Sequence, residues 1–521
     1  MKISDHDLRQ IDADSLHELR HRNLDALEDL ALRLADDLKE AKERLNQTPD
    51  NRSRPPGSRD PGSRHTNDAK QDPPEASPGD DNSGKPQEEK AKKAKPKKDS
   101  SPRRPPGRQK GSQGYARTQQ LPLTSTVPHY PGQCFRCGNA LPSDQAVCYT
   151  GYESINAEFG DEVSPGLQMT HTKHLFYEIV CACGHHNRSE PNKQPPQGGQ
   201  WGKVGISEWR LIDSGLAALL LILHFRMRLS VRYCREFMIE LFGVSLSDGA
   251  ISQSLHESAR AMAPAAEQTH QEVRQSNLAY SDETPHYQAG EFLWLWVVAN
   301  AHTVFFAIGH RTKELFLGMI GPEFAGWLMS DGYLAYRHHE WRLRCWAHLI
   351  RKARALAETY TPPVQGDGDT LLEIFDRLIE AVHLAREGPP IDLRPLVANE
   401  LAQLRQLCEK MARCANVKSA KLGREFLNDW DAIFRILEHP HRPLTNNYAE
   451  RLLRHWVILR RITQGTRTSV GSLALTTVAS VVETCRLRNA SPLRYLKSVI
   501  EASRKGLEVP PLPPVPSASR A

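Results

Sequence analysis

Three acids stand where a carboxylate could hold a metal ion. Asp282 lies in Tyr280-Ser-Asp-Glu-Thr-Pro-His-Tyr287. That stretch reads as a strand end ahead of an apolar hairpin, Phe292-Leu-Trp-Leu-Trp-Val-Val-Ala299 and then Thr303-Val-Phe-Phe-Ala-Ile308. Asp331 lies in Met329-Ser-Asp-Gly-Tyr-Leu-Ala-Tyr336, after the short apolar run 327–329. Glu450 lies in Thr445-Asn-Asn-Tyr-Ala-Glu-Arg-Leu-Leu-Arg454, a helical stretch. Acids on two strands and a helix can together hold a pair of Mg²⁺ ions for an in-line displacement at phosphorus. Glu283 competes with Asp282 for the first place. Neighbours on a strand point to opposite faces, and a period of two does not choose between them. For Glu450 the plain alternative is an ion pair with Arg454, one turn further on. Glu340 is then the next candidate for the third ligand.

Around these acids Asp282-Glu-Thr-Pro285, Asp331-Gly-Tyr-x-x-Tyr336, Cys345-Trp-Ala-His348 with Arg351-Lys352, and Asn446-Asn-x-Ala-Glu-Arg-x-x-Arg454 occur in that order. In this the chain resembles the large transposase of the insertion-sequence-66 family, over residues 116–490. The resemblance implies an α/β fold: an RNase H-like catalytic core with a helical insertion, preceded by a zinc-ribbon module and a helical region. It implies a DDE triad of Asp282, Asp331 and Glu450, and so chooses Asp282 over Glu283. Two Mg²⁺ ions per site, or Mn²⁺, would serve cleavage by water at the element ends. The freed 3′-OH would attack target DNA by the same in-line route, without a covalent enzyme intermediate. The implied partners are DNA (terminal inverted repeats and target), further copies of the chain, and small accessory proteins of the same element. Cys345 and His348 resemble a Cys/Asp-x-x-His element that supports the site in several DDE families; a packed cysteine and a satisfied histidine are the alternative. Two rival readings of the whole chain are a DNA-binding repressor without chemistry and an RNase H-like nuclease without strand transfer.

The elements that must position these residues occupy a chain of 521 residues, long enough for several domains. Net charge is +6, and residues 90–110 carry ten Lys/Arg against one acid, Asp99. A basic segment on a near-neutral body points to a polyanion partner. Residues 47–114 hold no Ile, Leu, Val, Phe, Trp or Tyr and a third of the chain's 36 prolines, so 47–115 reads as a disordered linker. Its Arg103, Arg104 and Arg108 could lie along DNA phosphates. Ahead of it, 1–46 reads as a helix with Leu24, Ala31, Leu38 and Leu45 at one heptad position and Leu27, Leu34 and Ala41 at another. That pattern suits a short coiled coil and self-association, unless the helix packs on its own protein. The N-terminus lacks an apolar signal core, and the greasy run 216–225 is too short to span a bilayer. The expected place is the cytoplasm, on the nucleoid, without a membrane partner.

Ten cysteines in a chain of this size do not make a disulfide scaffold. Four of them form Cys134-Phe-Arg-Cys137-Gly and Cys181-Ala-Cys183-Gly, within a module spanning 116–200. In Cys-x-x-Cys-Gly the glycine turns the chain so that both thiolates face one ion. Four thiolates make one structural Zn²⁺ site of ribbon type. The short second spacing leaves open that His185 or His186 replaces a thiolate, and a redox pair is the alternative. Cys148 stands alone and reads as core.

Residues 201–275 read as helical, with 216–223 apolar nearly all round and therefore buried. Residues 231–242, a break at Gly243 and a second helix opening near Ser247-Asp248 have helix-turn-helix proportions, and a plain helical hairpin fits equally well. The core's first part spans 276–362, with a crossing helix at 313–319. Residues 363–439 are Leu, Ala, Glu and Arg at helical spacing and form the insertion. The second part, 440–490, carries the Glu450 helix, with Thr445, Asn446 or Asn447 as its cap. Ala449, Leu452, Leu453, Trp456 and Val457 make its apolar stripe, and Glu450 lies off it. No acid occurs from 451 to 482, whereas Arg451, Arg454, Arg460, Arg461 and Arg467 do, a set suited to phosphate contact. Residues 491–521 read as a proline-rich tail, loose beyond Gly506.

Overall fold

The computed structural model describes residues 16–17, 20, 23–45, 119–161, 165–189 and 211–516. The linker, with Arg103, Arg104 and Arg108, lies outside the described residues. Helix α1 (Leu24–Leu45) presents Leu24, Leu32 and Leu38 to solvent.

Long alternating stretches build the first sheet from β1 (Ser125–His129), β2 (Val147–Phe159), β3 (Leu167–Val180) and β4 (His186–Arg188). β2 and β3 form an antiparallel hairpin, and β1 lies parallel on the far side of β3. Cys148 is exposed on β2, not in a core, because it falls on the strand's open face. At the other end of β2, Ile155 and Ala157 are fully buried against α2 (Ser214–Leu221), whose eight residues are all buried. α2 continues as one π-helical turn, Ile222–Arg226.

Three helices follow: α3 (Val231–Phe242), α4 (Asp248–Ala261) and α5 (Ala263–Arg274). Ser230 and Ser247 cap α3 and α4 through bonds from the Tyr233 and Ala250 N–H groups. The pair has the expected proportions. Ile251, Ser254, Leu255, Ser258 and Ala259 pack one side of α4 into the protein, and Asp248 and Gly249 at its start are exposed.

The central sheet comprises β5 (Leu278–Gln288), β6 (Glu291–Ala299), β7 (Val304–Gly309), β8 (Trp327–Ser330) and β9 (Arg342–Arg344), in the order β7-β6-β5-β8-β9. β5, β6 and β7 form an antiparallel meander, and β8 and β9 run parallel to β5. The crossing helix α6 (Lys313–Ile320) covers one face, where Phe316, Met319 and Ile320 pack on Ala279, Trp296 and Val298. Leu295, Val297 and Phe306 face the other way, onto two later helices, α12 (Asn447–Thr463) and α13 (Ser469–Leu487). α13 is apolar and long enough to cross a membrane, yet most of it is buried here. Its Ser480 and Thr484 hydroxyls accept the Phe306 and Val304 N–H groups and so satisfy the free edge of β7.

After α7 (Trp346–Ala357) the insertion adds α8 (Pro362–Arg386), α9 (Ala398–Ala412), α10 (Val417–Asn428) and α11 (Trp430–Phe434), with an apolar core of its own that reaches Met329 and Leu343 of the sheet. It is also locked by charge. Asp429 takes Arg342 at 2.8 Å, Arg337 at 3.1 Å and Arg344 at 3.2 Å, and Glu425 takes Arg344 at 2.5 Å and Lys352 at 2.6 Å. α14 (Pro492–Arg504) buries Tyr495, Leu496, Val499 and Ile500. Beyond Gly506 the expectation of a loose end is corrected: Leu512 is buried, and Arg488 donates to the Pro513 carbonyl at 2.7 Å.

Candidate active site

Strand register brings the first two acids together. β5 and β8 pair Leu278 with Trp327, Ala279 with Leu328 and Tyr280 with Met329. Continued by two residues, that parallel register sets Asp282 abreast of Asp331. Glu450 arrives on α12, which is strapped across β5. Asn446 stands at the N-cap position without capping; its Nδ2 donates instead to the Ser281 carbonyl at 2.9 Å. Its backbone N–H donates to the Cys345 sulfur at 3.1 Å, and further along Arg460 donates to Thr284 Oγ1 at 3.1 Å.

The three acids stand within electrostatic reach of one another. Burial, then the charges of Glu283, Asp331 and Glu450, push the Asp282 carboxyl well above the usual carboxylate range. Asp282 accepts one N–H, from Glu283 at 2.9 Å, and has no cationic partner among the described residues. Glu450 takes Arg351 at 3.1 Å, with His348 Nε2 at 3.7 Å. Burial lowers His348 to about 4, so its ring is neutral. Cys345 is a buried thiol pushed up to about 11 by that burial. The Cys-x-x-His element therefore splits: Cys345 holds the Asn446 strap, and His348 stands beside the third acid.

Glu283 faces the other side of β5, as alternation requires, but it is not idle. Arg311 grips its Oε1 at 2.9 and 2.5 Å, and the Tyr336 hydroxyl donates to its Oε2. The Arg311 guanidinium lies between the Trp294 and Tyr333 rings, 4.4 and 3.9 Å from their centroids. Tyr333 donates its hydroxyl to the Arg311 carbonyl at 2.5 Å and its N–H to Asp331 at 2.8 Å. Both tyrosines of Asp-Gly-Tyr-x-x-Tyr thus clamp the loop that carries Asp331. Its Gly332 leaves room for Arg344: a Cβ there would stand 2.4 Å from Nη1. Burial, then the Asp331 charge, raises Glu283 to about 7, with Arg311 pulling the other way. Sequence reasoning missed Arg311, which sits alone in a loop with no local signal. Among the arginines expected at DNA, Arg451, Arg454, Arg461 and Arg467 are exposed. Arg460 is not: only 3% exposed and bonded to β5, it is built into the core rather than offered to phosphate.

The four cysteines form a separate cluster, with ligand atoms all within 4.8 Å of one another. Cys134 and Cys183 stand 3.6 Å apart, as do Cys137 and Cys181. Gly138 and Gly184 turn the two knuckles with φ of 75° and 78°, a conformation only glycine takes without strain. His185 and His186 are not part of the cluster. The sulfur spacing suits tetrahedral ligation at Zn–S distances of about 2.3 Å. Among the described residues this is the only such closed group, and Asp282, Asp331 and Glu450 do not form one. Their donor set fits a divalent cation all the same, because a buried carboxylate without a counter-charge, beside two further acids, is the arrangement such an ion relieves.

A family model described as "Transposase IS66 family" matches residues 210–473, which take in all three acids and the insertion. Two uncharacterized proteins of Sinorhizobium fredii (strain NBRC 101917 / NGR234) are similar over shorter spans. One, y4qI, is 26% identical over 198 residues, 35% of this chain and 37% of that protein. The other, y4jO, is 26% identical over 152 residues, 29% of this chain and 46% of that protein. The chain thus spans less than half the length of either relative. The family match covers just over half of the chain and contains the central sheet, the insertion and the acid-bearing helix, so the chain belongs to the IS66 transposase family.

Proposed function

We propose that the chain is the transposase of a bacterial insertion sequence, cutting at the element's ends and joining the freed 3′-OH to target DNA. Family membership makes it a DNA-processing enzyme; the chemistry is our reading. The observation that carries it is the buried Asp282 carboxyl, raised by the charges of Asp331 and Glu450 from two distant segments and without a cationic partner among the described residues. A meander of three antiparallel strands followed by two parallel ones supports an RNase H-like core.

Asp282, Asp331 and Glu450 would hold two Mg²⁺ ions, or Mn²⁺. Bound there, divalent ions supply Lewis-acid stabilisation of the entering and leaving oxygens in phosphoryl transfer. The chain's own residues set the stage. Arg351 fixes the Glu450 carboxylate, the Asn446 strap fixes its helix, and Glu283 with Arg311 fixes the Asp331 loop. Neutral His348 adds no positive charge to compete with a cation. Arg451, Arg454, Arg461 and Arg467 lie exposed on and after the Glu450 helix, where phosphates of a bound strand would pass. Cys134, Cys137, Cys181 and Cys183 would hold one structural Zn²⁺, and the exposed leucines of α1 offer a seam for self-association.

Cleavage of a labelled element end tests the triad. Asp282→Asn, Asp331→Asn and Glu450→Gln should each lower the rate by about a thousandfold or more, non-additively, while gel-shift binding persists. Cleavage by Glu450→Gln near the wild-type rate would overturn the assignment. Strand transfer from pre-cut ends separates a transposase from a simple nuclease.

A further inference from the structure

On the flank of α12 next to Glu450 lies a cleft of about 430 Å³ that three distant segments build together. Arg451 and Arg454 come from α12, Arg226 and Arg228 from the π-turn and the residues after it, and Glu483 and Arg486 from α13. Five guanidinium groups face one carboxylate. Glu483 is shared, taking Arg226 at 3.0 Å and Arg486 at 2.7 Å. Arg228 donates to His455 Nδ1 at 2.9 Å, and His455 Nε2 lies 3.0 Å from the Phe225 carbonyl. That pair of bonds fixes His455 as the neutral tautomer, so it orients Arg228 without offsetting its charge. Burial, with Arg226, Arg228 and Arg486 nearby, keeps its pKa down at about 4. Among the described residues neither Arg451 nor Arg454 has a hydrogen bond or ion pair.

Such a cluster is costly when left alone. Like charges repel, most strongly at the half-buried Arg226 and Arg228, where water screens them least. The backbone adds a second sign of construction: Arg228 is held at φ 64°, a left-handed conformation unusual for arginine. It follows directly on a π-turn, and such turns recur at functional sites. Strain and uncompensated charge persist where a ligand repays them. One small anion would balance only part of the excess, whereas a polyanion lying along the cleft would balance all of it. Arg451 follows Glu450 directly and Arg454 lies one turn on, so the cleft opens on the same helix that carries the third acid.

We propose that the cleft binds the phosphodiester backbone of the DNA strand that passes the acids, and so sets which phosphate reaches them. The inference rests on the transposase reading for its partner, but adds Arg226, Arg228 and Arg486, which no motif pointed to. These residues are positioning residues for the strand, not part of the acid chemistry.

The test is the salt dependence of DNA binding by the full chain carrying Asp282→Asn, measured by fluorescence anisotropy on a duplex with the element's end. Arg228→Gln with Arg486→Gln should reduce the slope of log K against log salt by about 2. Arg451→Gln with Arg454→Gln, at exposed positions that leave folding intact, should do the same. Arg405→Gln, on the insertion, should change nothing. An unchanged slope in the first pair, with an unchanged melt, overturns the proposal even if the second pair responds, because binding would then be on the open surface alone. Inorganic phosphate is the second arm. If it raises Tm through these arginines while the DNA slope stays put, the cleft is a small-anion site and the proposal fails. Cleavage by the triad variants is read separately, so failure of the acids and failure of the cleft cannot be confused.

Discussion

The thiolate cluster and the acid cluster solve the same problem in opposite ways. Each cysteine pair sits on one tight turn, and the two turns meet at the end of one hairpin, so the ligands close on one another through local geometry. The acids come from β5, the end of β8 and α12, and they repel. They are held together only by what stands behind them: Arg351 on Glu450, Asn446 on β5, and Glu283 with Arg311, Tyr333 and Tyr336 on the Asp331 loop. In the function proposed above, the first site closes on an ion that stabilises its module, and the second is completed by ions only when a substrate site is kept open beside them. The difference is what separates an ion that stabilises a fold from ions that must leave room for a substrate.

The sharpest way to break this contrast is to remove the thiolates' ion. Cys137→Ser, or a strong zinc chelator, should unfold residues 119–189 and leave the central sheet intact, since structural zinc supplies about 10 kcal/mol or more to small modules. Zinc content with hydrogen exchange measured segment by segment checks this; protection lost across β5 to β9 as well would show that the module is no separate unit. Next in size is the support behind Asp331. Glu283→Gln should slow cleavage by about 10–100-fold, far less than Asp282→Asn, with DNA binding unchanged, because it loosens a ligand rather than deleting one. Wild-type cleavage by this variant would mean that the loop is held without the clamp.

The smallest effect is on stability. Glu283, raised to about 7, and Asp282, raised well above its ordinary range, bind protons more readily in the folded chain than in the unfolded one. Between the ordinary carboxylate range and about pH 7 their contribution therefore makes stability fall as pH rises. His348 and His286, both held near 4 by burial, act oppositely below their usual 6.5, so the comparison of variant with wild type is the quantity to read. Asp282→Asn should raise the Tm of the metal-free chain at neutral pH and flatten its pH dependence, the reverse of its effect on cleavage. Added Mg²⁺ should raise the wild-type Tm more than the variant's. A lower Tm for Asp282→Asn would show that the acid cluster is not strained by its own charge.

Much of this was legible in the residues because it is periodic or local. The Glu450 stripe from Ala449 to Val457, the glycine-turned cysteine pairs and the helical insertion follow from repeat periods and turn chemistry. That Asp282 stands abreast of Asp331 is different, because it needs the register of β5 on β8, which only the fold supplies. Other features depend on which surface covers which, and a one-dimensional pattern does not contain that. The stripe of α4 reads the same whether it lies in a groove or in a core, and only the packing of Ile251 and Leu255 puts it in the core. Arg460 reads like its neighbours until Thr284 of β5 is found beneath it. The tail reads as loose by composition until Leu512 and Pro513 dock on the helices. Glu283 looks like the wrong face of a strand until Arg311 arrives from a separate loop. Sequence determined the elements that carry the acids, because those rest on local periodicity, while the choice of Asp282 over Glu283 came from the family resemblance. Tertiary structure alone decided which charges are offered to a ligand and which are built into the fold, because burial and long-range pairing set the cost of each charge.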